Sequence, residues 1–180
     1  RQKEKSEKSF VKYEWEVPAD RLYKEENNVV VDDVKNHALM PFVQLRNASS
    51  PERMFEDYLE ANTEYIDWWY KNGDSGKQHY AVSYVDGTGA KALFYVDFVI
   101  RMKNGQIFLF DTKSIGSDAD APAKHNALID YMASEENKDK HLKGGVIIAD
   151  GSNWKYSPLK IENTTDIINW DCFYPSDYKE

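Results

Sequence analysis

From residue 49 onward, apolar and polar residues change period several times. In "SSPERMFEDYLEAN" (49–62), Phe55 and Leu59 recur four apart, the spacing of one helical face. Ser49, Ser50, Pro51 and Glu52 supply a cap, a first-turn proline and an acid that complements the helix dipole, so a helix is predicted to start there. "YIDWWYKNGDSG" reads as a short aromatic strand and a turn, and 78–85 as a strand. "DGTG" is a second turn. Residues 93–102 and 106–113 form two further strands joined at Lys103-Asn104-Gly105. A loop of small and acidic residues (114–121) leads to Pro122, which opens a second helix to about Glu136. "GGVIIAD" (144–150) is continuously apolar, as expected of a strand covered on both faces. Residues 154–161 and 167–173 are candidate edge strands. The order is helix, three-strand meander, helix, strand: an α/β class with a mixed sheet flanked by helices.

Upstream the signal is weaker. Tyr13, Trp15 and Val17 alternate with charged residues, and Val29–Val31 is a second possible strand. Residues 1–46 carry no legible chemistry and are read as an N-terminal arm or the tail of a preceding domain. The chain begins at Arg1, so we expect it to be a piece of a longer protein.

The apolar strands are interrupted by charge. "FYVDFVIRMKNGQIFLFDTKS" (94–114) holds Asp97, Asp111 and Lys113 among residues suited to burial. A two-residue loop at Asn104-Gly105 would put the two aspartates on opposite faces. A three-residue loop closed by Gly105 in the left-handed conformation pairs Met102 with Gln106 and sets Asp97 opposite Asp111. We favour the second register, because it gathers the unusual residues. Two carboxylates about 5 Å apart repel and call for a cation between them, and a divalent metal suits hard oxygen donors. Lys113 projects from the same face about 7 Å further along. Glu52 lies within one helical step of the Phe55–Leu59 face, whereas Glu56 is expected to turn toward solvent. Lys124 shares a face with Leu128 and Tyr131 and could reach inward.

Each charge alone has a plain structural reading. An Asp and a Lys two apart on a strand make an ordinary surface ion pair, Glu52 complements a helix dipole, and Lys124 lies along an apolar surface. Three charges inside two-sided apolar strands are harder to explain that way, because unpaired buried charge is costly.

In this order the segments resemble a known family. Asp97 followed by Asp111-Thr112-Lys113 is similar to the PD-(D/E)XK nuclease signature. "ERMFEDYLE", "WWYKNG", "YVDFVIR" and "LFDTK" resemble the C-terminal endonuclease domain of the restriction subunit of type III restriction enzymes, over about 49–150. Val96 stands where a proline is usual, and Asp111 where glutamate is commoner. The resemblance implies a restriction-endonuclease-like fold over 47–180 and a Mg²⁺-dependent DNA endonuclease, with Mn²⁺ able to substitute. Asp97, Asp111 and the Thr112 carbonyl would hold the metal. Lys113 would orient the attacking water, Glu52 would complete the catalytic set, and Lys124 would be auxiliary. It also implies double-stranded DNA as partner, an upstream ATP-dependent translocase and a DNA methyltransferase subunit. ATP would act only in that upstream domain, since no GxxxxGK(S/T) loop is present here.

Charge and cysteine content narrow the setting. A net charge of −8 argues against a domain that grips DNA unaided. The single cysteine, Cys172, excludes an internal disulfide and a cysteine-based zinc site. No apolar run reaches membrane-span length and no secretory leader is visible, so a cytoplasmic location is expected. His37, His79, His125 and His141 lack ligand spacing, and "WWY" (68–70) is expected to be core.

Overall fold

The computed structural model describes residues 49–73 and 80–180 fully, together with the backbone of two short strands, β1 (Asn28–Val30) and β2 (Val43–Leu45), which pair antiparallel. What the pattern predicts elsewhere in 1–46, including the strand at Tyr13–Val17, lies outside the described residues.

Helix α1 (Ser50–Glu60) begins as its sequence requires. Ser49 is the N-cap; its side chain accepts from the Glu52 N–H while the Glu52 carboxylate accepts from the Ser49 N–H, a reciprocal capping box. Phe55 and Leu59 are fully buried, each stabilising by about 1.5–3 kcal/mol. A single turn of 3₁₀ helix leads into β3 (Ile66–Lys71). Then come β4 (Ala81–Val85), β5 (Lys91–Tyr95), β6 (Phe98–Met102) and β7 (Ile107–Lys113). Helix α2 (Ala121–Ala133) crosses to β8 (Lys143–Asp150), followed by β9 (Asn153–Tyr156) and β10 (Asp171–Cys172).

Six strands form one mixed sheet in the order β10-β9-β8-β7-β6-β3, with β7 and β8 parallel and the other pairs antiparallel. The fold is therefore mixed α/β with few helices, as the pattern predicts. Phe98, Ile100, Phe108 and Phe110 pack with α1 residues Phe55 and Leu59. On the other face, Val99 and Leu109 pack with Leu128 of α2 and with the β4–β5 hairpin.

The three-residue turn forms as expected. The Met102 N–H donates to the Gln106 carbonyl at 2.8 Å, and Gly105 has φ +88°. The ladder runs Arg101↔Ile107 to Phe98↔Phe110, so Asp97 lies one step beyond it, level with Asp111.

Two expectations change. The strand expected over 93–102 is broken at Val96-Asp97, because its halves have different partners: β5 pairs with β4 in a separate two-stranded sheet, and β6 pairs with β3 and β7. The meander is consequently β3-β6-β7, with the β4–β5 hairpin as an excursion between β3 and β6. The other difference is length: α2 ends at Ala133, and the edge strands shrink to β9 and β10.

His125 is a core residue. Its Nδ1 accepts from the Val146 N–H at 3.0 Å, leaving Nε2–H to face the Leu159 carbonyl at 2.8 Å. Burial lowers its pKa, partly offset by that carbonyl, which fits a neutral ring. Gly145 makes room for it: a Cβ there would lie 2.5 Å from the ring. Trp69 and Tyr70 are fully buried, so the "WWY" run is largely core.

Candidate functional site

The ends of β3, β6 and β7, the start of α1 and the β4–β5 hairpin enclose a cleft of about 280 Å³. Glu52, Asp97, Asp111, Lys113 and Lys124 all line it, so the five charged positions singled out in the sequence converge on one space.

Asp97 sits at the break between β5 and β6, where both main-chain and side-chain donors fix it. Its Oδ2 accepts from the Thr112 N–H at 2.8 Å and from the Thr112 hydroxyl at 2.6 Å. In an extended strand the N–H and carbonyl of one residue point to the same side. The Thr112 carbonyl, the expected backbone ligand, therefore faces the β6 side as well. Asn72 fixes the break from behind. Its N–H donates to the Asp97 carbonyl at 2.9 Å, and its buried side-chain amide donates to the carbonyls of Val96 (2.8 Å) and Tyr80 (2.7 Å). Its side-chain oxygen accepts from the Tyr80 N–H at 3.0 Å.

Asp111 is 4% exposed. The Lys113 Nζ lies 2.9 Å from Asp111 Oδ2, a buried ion pair, and this oxygen accepts from no backbone group or other side chain. Burial first, and the Asp97 charge second, push the Asp111 carboxyl up to about 7, although Lys113 and Lys124 oppose the rise. Burial pulls Lys113 down, but Asp111 and Asp97 hold it above the usual lysine value, so it is an ammonium at neutral pH. Lys124 donates to Asp118 at 2.9 Å and lies 5.8 Å from the Tyr84 ring centroid. Asp118, in the loop after β7, is also 4.0 Å from Lys113.

On the α1 side, Glu52 does two jobs. Oε2 closes the helix cap at 2.8 Å from the Ser49 N–H, and Oε1 accepts from Lys71 at 2.5 Å. Both readings of this residue, dipole complement and inward-facing acid, therefore hold. Burial raises its pKa, but the Lys71 ammonium and the Ser49 bonds more than offset that and leave it below the usual glutamate value.

The sequence reasoning missed Lys71, which lies within "WWYKNG" and is 4% exposed; it also stands 3.8 Å from Asp97 Oδ1. Glu56, expected to face solvent, is 1% exposed. The Lys71 charge beneath the helix explains how an acid is accommodated there, since Glu56 is among the carboxylates that hold Lys71 charged.

Among the described residues, no group of three or more His, Cys, Asp or Glu side chains forms a metal cage. Magnesium does not need one: it keeps several waters and takes one or two carboxylates. Asp97 and Asp111 supply that donor type, and the buried Asp111 oxygen, which takes no backbone hydrogen bond, is a fitting ligand atom. No family model, curated protein or solved structure matches the chain. No described helix is long and apolar enough to cross a membrane.

Proposed function

We propose that this chain is a Mg²⁺-dependent DNA endonuclease domain of restriction-endonuclease-like topology, acting in the cytoplasm as the cleavage module of a type III restriction subunit. The observation that carries this reading is the meeting of Asp97, Asp111 and Lys113 with Glu52 in one cleft, where the buried Asp111 oxygen faces the Lys113 ammonium and no backbone donor. Double-stranded DNA is the substrate. An upstream ATP-dependent translocase and a methyltransferase subunit supply the grip that an acidic domain lacks.

Asp97 and Asp111 would hold the metal, with the Thr112 carbonyl as a further donor; when bound, it supplies charge neutralisation and an acidified water. Thr112 presets Asp97 through two hydrogen bonds, which leaves the Oδ1 edge toward the cleft and Lys71. Lys113, an ammonium at neutral pH, is a donor and not a base. It orients the attacking water and offsets the charge that builds on phosphate oxygens as one P–O bond forms and the other breaks. Lys124 adds positive charge on the α2 side, and Glu52 anchors the opposite wall.

One observation favours a second reading, a non-catalytic module of the same fold that positions DNA or a subunit. Lysines already neutralise the acids, Lys113 beside Asp111 and Lys71 beside Glu52. The same site would also serve a repair nuclease. The Lys113→Ala variant separates enzyme from module. In the parent assembly with its partner and ATP, cleavage should fall at least about 100-fold, while calorimetry still shows Mn²⁺ binding. Near-normal cleavage by the folded variant would end the catalytic assignment. Unchanged Mn²⁺ affinity in both Asp97→Ala and Asp111→Ala would end the metal assignment.

A further inference from the structure

Resting on that metal-dependent reading, we infer that the Lys71 ammonium occupies the place of a second divalent cation, so that the cleft takes one metal ion and not two. Phosphoryl chemistry at paired carboxylates often uses two ions about 4 Å apart. Here one of the two positive centres is built into β3.

The geometry on the α1 side is that of a cation site already filled. Lys71 Nζ lies 2.5 Å from Glu52 Oε1, 3.8 Å from Asp97 Oδ1 and 4.6 Å from the Phe98 ring centroid. Glu56 acts on the same ammonium. Two carboxylates face this ammonium, Glu52 at hydrogen-bond distance and Asp97 at ion-pair distance, and they hold it in place. Both Glu52 oxygens already accept a hydrogen bond, one from Lys71 and the other from the cap of α1. A second metal ion bound to Glu52 would have to sit against the Lys71 ammonium or compete with the cap.

The two walls differ in how their acids are held. Glu52 is tied to both Lys71 and the cap of α1, whereas Asp111 Oδ2 has the Lys113 ammonium at 2.9 Å and no backbone donor.

The test counts ions on the full chain by Mn²⁺ titration followed with electron paramagnetic resonance. The wild type should bind one Mn²⁺, and Lys71→Met should bind two. Adding Glu52→Gln to Lys71→Met should return the count to one. Lys71→Leu, which likewise removes both the charge and the donor, reads the same count should the methionine variant not fold. Two ions in the wild type, or one in a folded Lys71 variant, would overturn the inference and leave the metal-dependent reading standing. No ion in the wild type would overturn both. Failure of both Lys71 variants to fold in excess Mn²⁺ would also overturn it, because the second ion should supply the missing charge.

Discussion

Asp111 carries the largest tension at the residue scale. Its carboxyl is pushed from an ordinary 3.8 to about 7 by burial and by Asp97, against Lys113 and Lys124. The folded chain therefore holds a proton there over a pH range in which the unfolded chain has lost it. Stability from this group is fully present below about pH 4 and is lost as pH rises through about 7. Thermal melts in chelator should show the wild type losing more stability than Asp111→Asn between pH 5 and pH 8. The depressed carboxyls of Glu52 and Asp118 have the opposite sign but are common to both proteins, so they cancel in the difference. Equal slopes would show that Asp111 is not buried as a strained acid. Some residues were legible in advance and others were not. Asp97, Asp111 and Lys113 announced themselves by breaking an apolar run. Glu56 did not, because it lies only about 40° further round the helix than Glu52, too small a step for a wheel to separate inside from outside. Only Lys71 beneath the helix decides it.

Among the elements, Asn72 ties the end of β3 to Tyr80 ahead of β4 and to Val96 at the β5–β6 break. Asn72→Ala leaves two carbonyls and one N–H in the interior without that partner, and should cost about 2–4 kcal/mol in denaturant unfolding. Hydrogen exchange should accelerate over 80–97 before it does in β7 or β8; a uniform change would show that the hairpin is held elsewhere. The β6–β7 register could be read from sequence because a local turn with Gly105 sets it. The pairing of β3 with β6 could not. Those strands are separated by the whole β4–β5 hairpin, and a bulge between Ile66 and Trp68 shifts their register. Lys71 depends on that nonlocal pairing, which puts it opposite Phe98, and so its role was hidden although the residue was in plain view.

The whole molecule is acidic, with a net charge of −8, and the lysines at the cleft are engaged by carboxylates. Little positive potential is left over for a phosphate backbone. Fluorescence anisotropy with a short duplex at physiological salt should give a dissociation constant weaker than about 10⁻⁴ M for the chain alone. Low-micromolar binding would show that the fold concentrates basic surface which the net charge conceals. The fold also divides the walls of the cleft between two sheets. Asp111 and Lys113 hang from the six-stranded sheet and Asp97 from the step before β6, while Tyr84, Leu93, Phe94 and Tyr95 come from the hairpin, whose turn at 86–90 lies beyond the lining residues. On the proposed reading, reaction and choice of substrate would be inherited on separate pieces of backbone. The hairpin turn meets α2 through the Gly87 N–H and Asp120, yet it could change its side chains over generations without re-aiming Asp97 or Asp111, so that one chemical apparatus would be free to meet many different targets.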